Sequence, residues 1–250
     1  MKIILTTIIL QGVAIGTVQA HMCDDRALVT SVLKHANIKP TEGALIDCKG
    51  DPSNNTAMIM AYANWISETT DDVAGHYDLN ILKFDKVNDK VTYHYKVADE
   101  LISDAVNLDS IQLDTANYKI NDSNRALGLR LNYSGHSQPN PFSMTVFNLY
   151  DIENKKQILK SLIVDQYQAE TDTRCNADIK ERKSTLVMQN TKSYHYYDIQ
   201  VNSKIDHYQM NGTSDKCLES KHKLSQHRFL LKFDGQQYQI PKIYRDDYLY

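Results

Sequence analysis

Apolar and polar residues change their spacing once along this chain. Near the N-terminus Leu28, Val29, Val32 and Leu33 recur at helical spacing and form one apolar face. Asp24 or Asp25 precedes them as a cap, and Lys34 and His35 fall in the last turn, where positive charge suits the helix dipole. Asn37 marks the expected end, and Pro40 cannot continue a helix. Beyond that the spacing becomes two. Residues 77–84 and 91–97 alternate apolar and polar around a mostly polar stretch at 85–90, which predicts a hairpin. Further strands are expected at 110–114, 126–133, 144–150, 157–164, 184–188, 194–201, 227–233 and 238–240. Residues 151–156 and 234–236 read as hairpin turns, and 166–183 as a polar, irregular segment. Many short strands after one helix predict a mainly β fold, with antiparallel sheets in a sandwich-like or propeller-like arrangement and a short N-terminal helix. No repeat supports a regular propeller.

The first twenty residues follow a different rule. Lys2 gives a positive start, residues 3–18 are uncharged and largely apolar, and Val18-Gln19-Ala20 is a small-x-small cleavage site. Residues 1–20 are therefore expected to be a signal peptide cleaved after Ala20, and 21–250 a single β-rich domain without a transmembrane segment. A membrane anchor fits less well, because the run is short for a span and no basic cluster follows it. The expected location is the periplasm.

Cysteine usage agrees with export. Cys23, Cys48, Cys175 and Cys217 all lie beyond the cleavage site, and an even count in an exported chain predicts two disulfides. Of three connectivities, loop closure favours the local pairs Cys23–Cys48 and Cys175–Cys217. No two cysteines are two to four residues apart, which disfavours a zinc site. Four Asn-x-Ser/Thr triplets, at Asn54, Asn121, Asn132 and Asn211, decide nothing about the compartment.

The 250 residues are 42% hydrophobic and 24% charged, which suits a globular protein. The formal net charge is −3; without Lys2, 27 basic residues face 31 acidic ones, a balance of −4. A nucleic-acid partner would need a basic balance, so none is expected.

Candidate chemistry is sparse. Ser134, His136 and Ser137 place hydroxyls beside an imidazole, but neighbours on an extended strand point to opposite faces. There is no Gly-x-Ser-x-Gly elbow and no phosphate-cradling glycine loop. The histidines show no metal-binding spacing, so no metal and no cofactor are expected. Asp71-Asp72, Asp99-Glu100 and Asp246-Asp247 are adjacent acids, a pattern typical of turns and solvated faces. A glycosidase pair would have to be assembled by the fold.

Tyrosine is the unusual residue, with sixteen against five phenylalanines and one tryptophan. Tyr93 and Tyr95 are expected on one strand face, and Tyr194 and Tyr196 on another. Tyr244, Tyr248 and Tyr250 surround Arg245 in the tail. Tyr194, Tyr196, Tyr244, Arg245, Tyr248 and Tyr250 are therefore the candidate binding surface, since tyrosine offers amphipathic contact area at low entropic cost.

Asp104-Ala105, Leu113-Asp114-Thr115-Ala116-x-Tyr118, Arg125-Ala126-x-Gly128-x-Arg130 and Tyr133-Ser134-Gly135-His136-Ser137-x-x-Asn140-Pro141 run in order. This stretch resembles a group of uncharacterised exported, β-rich proteins of Gram-negative bacteria. The resemblance implies a periplasmic β protein and assigns no catalytic residue. The expected function is non-enzymatic binding, most simply of another protein, as an inhibitor or toxin-immunity protein does. A periplasmic hydrolase of sugar or peptide and an envelope structural component are the alternatives.

Overall fold

The computed structural model describes residues 22–68, 74–213 and 216–246; the expected signal peptide lies outside them. After a 3-10 turn at Met22–Asp24 comes α1 (Arg26–His35). Four strands follow: β1 (Leu45–Asp51), β2 (Asn54–Ser67), β3 (Gly75–Asp85) and β4 (Lys90–Ser103). Next come β5 (Val106–Lys119), β6 (Arg125–Gly135), β7 (Phe142–Asp151), β8 (Lys156–Thr171) and β9 (Ala177–Ser193). The chain continues through β10 (Tyr196–Thr213), β11 (Lys216–Glu219), β12 (Lys223–Phe233), β13 (Tyr238–Gln239) and a short α2 (Lys242–Asp246). The fold is mainly β, as the spacing predicts.

Strands β1 to β4 form one antiparallel meander. The rest form a larger antiparallel sheet in the order β13-β12-β10-β9-β8-β7-β6-β5, with β11 pairing β10. Neither sheet closes into a barrel. Ile59, Ala61 and Ala63 of β2 and Leu79 and Ile81 of β3 meet Leu127, Leu129 and Leu131 of β6 in a core between the sheets. Met58, Met60 and Tyr62 point the other way, onto Val32 and Leu33 of α1. Burial on both faces explains why residues 57–63 are apolar without alternation, a pattern that hid this strand from period-two reading. The large sheet also carries a second core, where Phe147, Leu149, Leu159, Leu162, Ile199, Val201, Leu231 and Phe233 meet. Helix α1 begins as expected, with the Asp25 carboxylate accepting from Leu28 N at 3.0 Å.

Two side chains join the sheets where β1 meets β5. The Leu113 N–H donates to Asp47 Oδ2 at 2.7 Å, and Lys49 Nζ donates to the Leu113 carbonyl at 2.5 Å. A charged pair from β1 thus replaces a backbone ladder at this seam.

The structure corrects two expectations. Residues 166–183 are not irregular: β8 and β9 run through them as a hairpin whose turn Asp172 organises, accepting from Arg174 N at 2.9 Å and Asn176 N at 3.0 Å. Their side chains are largely polar because this end of the sheet extends past the second core. Tyr194 and His195 are not in a strand. Their φ values are 48° and 69°, as a two-residue hairpin loop between Ser193 and Tyr196 requires, so Tyr194 and Tyr196 share no face. Both expected disulfides are present, Cys23–Cys48 and Cys175–Cys217. No helix among the described residues is long and apolar enough to cross a membrane.

Candidate functional site

Three turns crowd one end of the space between the sheets. The first is Asp51-Pro52-Ser53, between β1 and β2. Asp51 Oδ1 accepts from Ser53 N at 2.9 Å, and Oδ2 pairs with Lys83 Nζ of β3 at 3.0 Å. Burial alone would push the Asp51 carboxyl up; the Ser53 hydroxyl and amide and the Lys83 ammonium outweigh it and hold it below the ordinary range.

The second turn, at 121–124, links β5 and β6. Asn121 Oδ1 accepts from Ser123 N at 3.0 Å and Asn124 N at 2.7 Å. Asp122 points outward, to Lys192 Nζ at 2.7 Å and the Tyr197 hydroxyl at 2.6 Å, and both hold its carboxyl low. Before this turn β5 bulges: its pairing with β6 breaks between Asp114 and Tyr118. Asp114 braces the bulge, accepting from Ala116 N at 3.0 Å, from the Tyr118 hydroxyl at 2.9 Å and from Arg130 Nε at 2.9 Å. Arg125 closes it from outside, donating to the carbonyls of Thr115 at 2.6 Å and Ala116 at 2.8 Å. Gly128 leaves room for the arrangement, because a Cβ there would lie 2.7 Å from the Phe147 ring and 2.9 Å from Asp114 Cβ. Asp114, Thr115, Ala116, Tyr118, Arg125, Gly128 and Arg130 thus form one brace around the bulge.

The third turn brings Ile152 and Glu153, after β7. The three turns enclose a cavity of about 320 Å³. Ile59, Ala126, Leu127 and Ile152 give it apolar walls, and Lys83, Lys119, Arg125, Asp51, Asp122 and Glu153 supply its charges. Its volume lies at the lower end of the ~300–1,000 Å³ typical of small-molecule sites.

A general acid or base working near neutral pH needs a pKa brought towards that pH. Asp51 and Asp122, which line the cavity, and Asp114 in the brace beside it are instead held below the ordinary range by their partners.

Tyr194, Tyr196 and Tyr244 of the expected tyrosine surface do not come together. Tyr194 is 70% exposed. Tyr196 stacks on Phe233 at 4.1 Å and donates to Asp151 Oδ2 at 2.7 Å; burial and that carboxylate push its phenol up to about 12. Tyr244 is buried, donates to the Ile163 carbonyl at 2.5 Å and lies under the Arg182 guanidinium at 4.9 Å. Packing takes these rings because each hydroxyl finds an internal acceptor. Arg245 falls in α2, and Tyr248 and Tyr250 lie outside the described residues.

The hydrolase candidates also separate. His136 Nε2 lies 2.7 Å from Asn107 Nδ2, and Ser137 Oγ accepts from Asn140 N at 3.3 Å. Asp99 and Glu100 sit in a β4 bulge and diverge, Asp99 towards His76 and Glu100 towards Lys160 and Gln157. Asp71 and Asp72 lie outside the described residues. A different serine, histidine and aspartate do meet, Ser31, His35 and Asp89, but not as a triad. The Ser31 hydroxyl donates to Asp89 Oδ1 at 3.0 Å, and His35 Nδ1 is 2.8 Å from the Ser31 carbonyl. With Nδ1 donating there, no imidazole lone pair faces the Ser31 proton.

One cluster has metal-ligating atoms in mutual reach. His76, Asp78 and Asp99 place ligand atoms within 4.8 Å of one another. The His76 nitrogens are engaged, Nδ1 with Glu68 Oε1 at 2.8 Å and Nε2 with Asp99 Oδ1 at 2.7 Å. Glu68 first, and then the nearby aspartates, raise the His76 pKa against partial desolvation.

No family model, curated protein or solved structure matches the chain.

Proposed function

We propose that the protein is a non-enzymatic binding protein of the periplasm whose ligand enters the cavity between the three turns. The carrying observation is the cavity itself: apolar walls and a charged rim on which Asp51, Lys83, Asp122 and Arg125 already have internal partners. The occupant is an apolar group with a polar end, either a free small molecule or a side chain presented by a protein. Export is supported by the leader pattern and two disulfides.

A protein partner, of the inhibitor or immunity kind, has one observation of its own. Strand β13 pairs only with Lys232 and Phe233 of β12, so 223–231 present an edge that no other described strand covers. Exposed Leu224 and Leu230 stand there beside Lys223 and Arg228, a surface that an added strand from a partner can extend.

A photo-crosslinking residue at Ser53, on the cavity rim, tests the proposal in the periplasm. A discrete product is expected, either a mass increase of a few hundred daltons or a defined protein adduct, and it should vanish with Lys119→Glu. Labelling no different from that at the exposed Ile102, at the opposite end of the small sheet, would overturn the reading.

A further inference from the structure

A second cavity, of about 530 Å³, opens at the opposite strand ends. Thr41, Glu42 and Gly43 of the α1–β1 connection form one wall, and Ser103, Asn107, Leu108 and Asp109 form the other. Trp65 and Tyr77 lie between them. These two rings belong to directly paired residues of β2 and β3, with centroids 4.8 Å apart and planes at 54°.

The tryptophan is held in place. Thr41 Oγ1 accepts from the Trp65 N–H at 3.0 Å, which ties the wall to the strand. Gly43, at φ +75°, lies along the ring, where a Cβ would stand 3.6 Å away. Gly75 leaves room for the other end of the ring, since a Cβ there would lie 2.7 Å from Trp65 Cη2. The platform therefore needs no reordering when a ligand arrives.

The charge around it is one-sided. Glu42 and Asp109 are exposed carboxylates, and among the described residues no Lys, Arg or His lines the cavity. The first cavity, by contrast, has Lys83, Lys119 and Arg125 among its lining. The field of Asp109 reaches the rings: burial first, and then this carboxylate, raise the Tyr77 phenol. An aromatic face beside uncompensated carboxylates is the chemistry that recognises an organic cation, through the ring quadrupole and the opposite charge together. It repels anions, and a neutral sugar would use the ring but not the charge.

We infer that this cavity binds an organic cation, an alkylammonium or quaternary ammonium group seated against Trp65 between Glu42 and Asp109. This site is separate from the first cavity, and the inference does not depend on the function proposed for that one.

The chain has a single tryptophan, so its emission reports this cavity alone. The test titrates the purified disulfide-bonded protein with choline, with its uncharged isostere 3,3-dimethylbutan-1-ol, and with cellobiose. N-acetyl-tryptophanamide controls for collisional quenching. The expected result is a saturable change with choline, at least ~10-fold tighter than with the isostere. Glu42→Gln and Asp109→Asn should each weaken it several-fold, with circular dichroism unchanged because both side chains are exposed. Equal response to choline and its isostere, saturation by cellobiose instead, no saturable change up to about 50 mM choline, or undiminished binding in both variants would each overturn the inference.

Discussion

Asp47→Ala is the sharpest test of how the two sheets are joined. The carboxylate is buried, at 4% exposure, and accepts the Leu113 N–H at 2.7 Å, while Leu113 itself is fully buried. Truncation leaves that N–H without its acceptor at a seam where no backbone ladder can replace it. A hydrogen bond to a charged group is worth about 1.5–3 kcal/mol, and a buried donor left unmatched costs a similar amount, so a loss of about 2 kcal/mol is expected. For a chain of this size that corresponds to about 4–8 °C in Tm. Asp47→Asn keeps an acceptor oxygen and loses the charge, and should cost about half as much. Urea unfolding with the disulfides intact gives the free energies, and amide exchange at Leu113 gives the local readout. If Asp47→Ala stays within about 0.5 kcal/mol of wild type, as an ordinary surface change does, the carboxylate does not hold the sheets together.

Three other expectations can be measured on the same protein. The His76 pKa is raised in the folded state, so its contribution to stability is fully present below about pH 6.5 and fades as pH rises through the folded value. The Tm gap between wild type and His76→Gln should therefore narrow from about pH 5.5 to 8.5, and a widening gap would contradict the Glu68–His76–Asp99 bridge. Gly75→Ala would drive a Cβ into the Trp65 ring and the Ile66 carbonyl, so a loss of about 1–3 kcal/mol and a shifted tryptophan emission are expected; a silent variant would show that β2 and β3 lie further apart there. Replacing Cys175 and Cys217 by serine frees a separation of 42 residues, against 25 for Cys23 and Cys48. The chain-entropy estimate is about 4 kcal/mol for the longer loop and about 3.5 for the shorter, so the larger drop in urea midpoint belongs to the C-terminal pair and the reverse order would count against that account.

Local chemistry was enough for several features. Asp25 as a cap and the spacing of Leu28, Val29, Val32 and Leu33 specify α1, because a helix end and an amphipathic face are decided within a few residues. Alternation marks β3, β6, β7, β12 and β13 and parts of β4, β5, β8, β9 and β10, though not β1, β2 or β11, and short loop closure specifies both cysteine pairs.

Other features needed the whole fold. Strand β2 is apolar on both faces only because α1 covers one and β6 the other, and neither neighbour is close to it in sequence. Each tyrosine looked equally suited to surface or core; Tyr244 is buried because Ile163 and Arg182, far along the chain, offer a carbonyl and a guanidinium. The first cavity gathers residues from 51 to 153, and the second from 41 to 109. By itself the sequence determined the N-terminal helix, the strands whose residues alternate and which cysteines join, since those depend on neighbours along the chain. The tertiary structure alone decided which charges meet and which rings face solvent, since electrostatics and burial depend on distance in space.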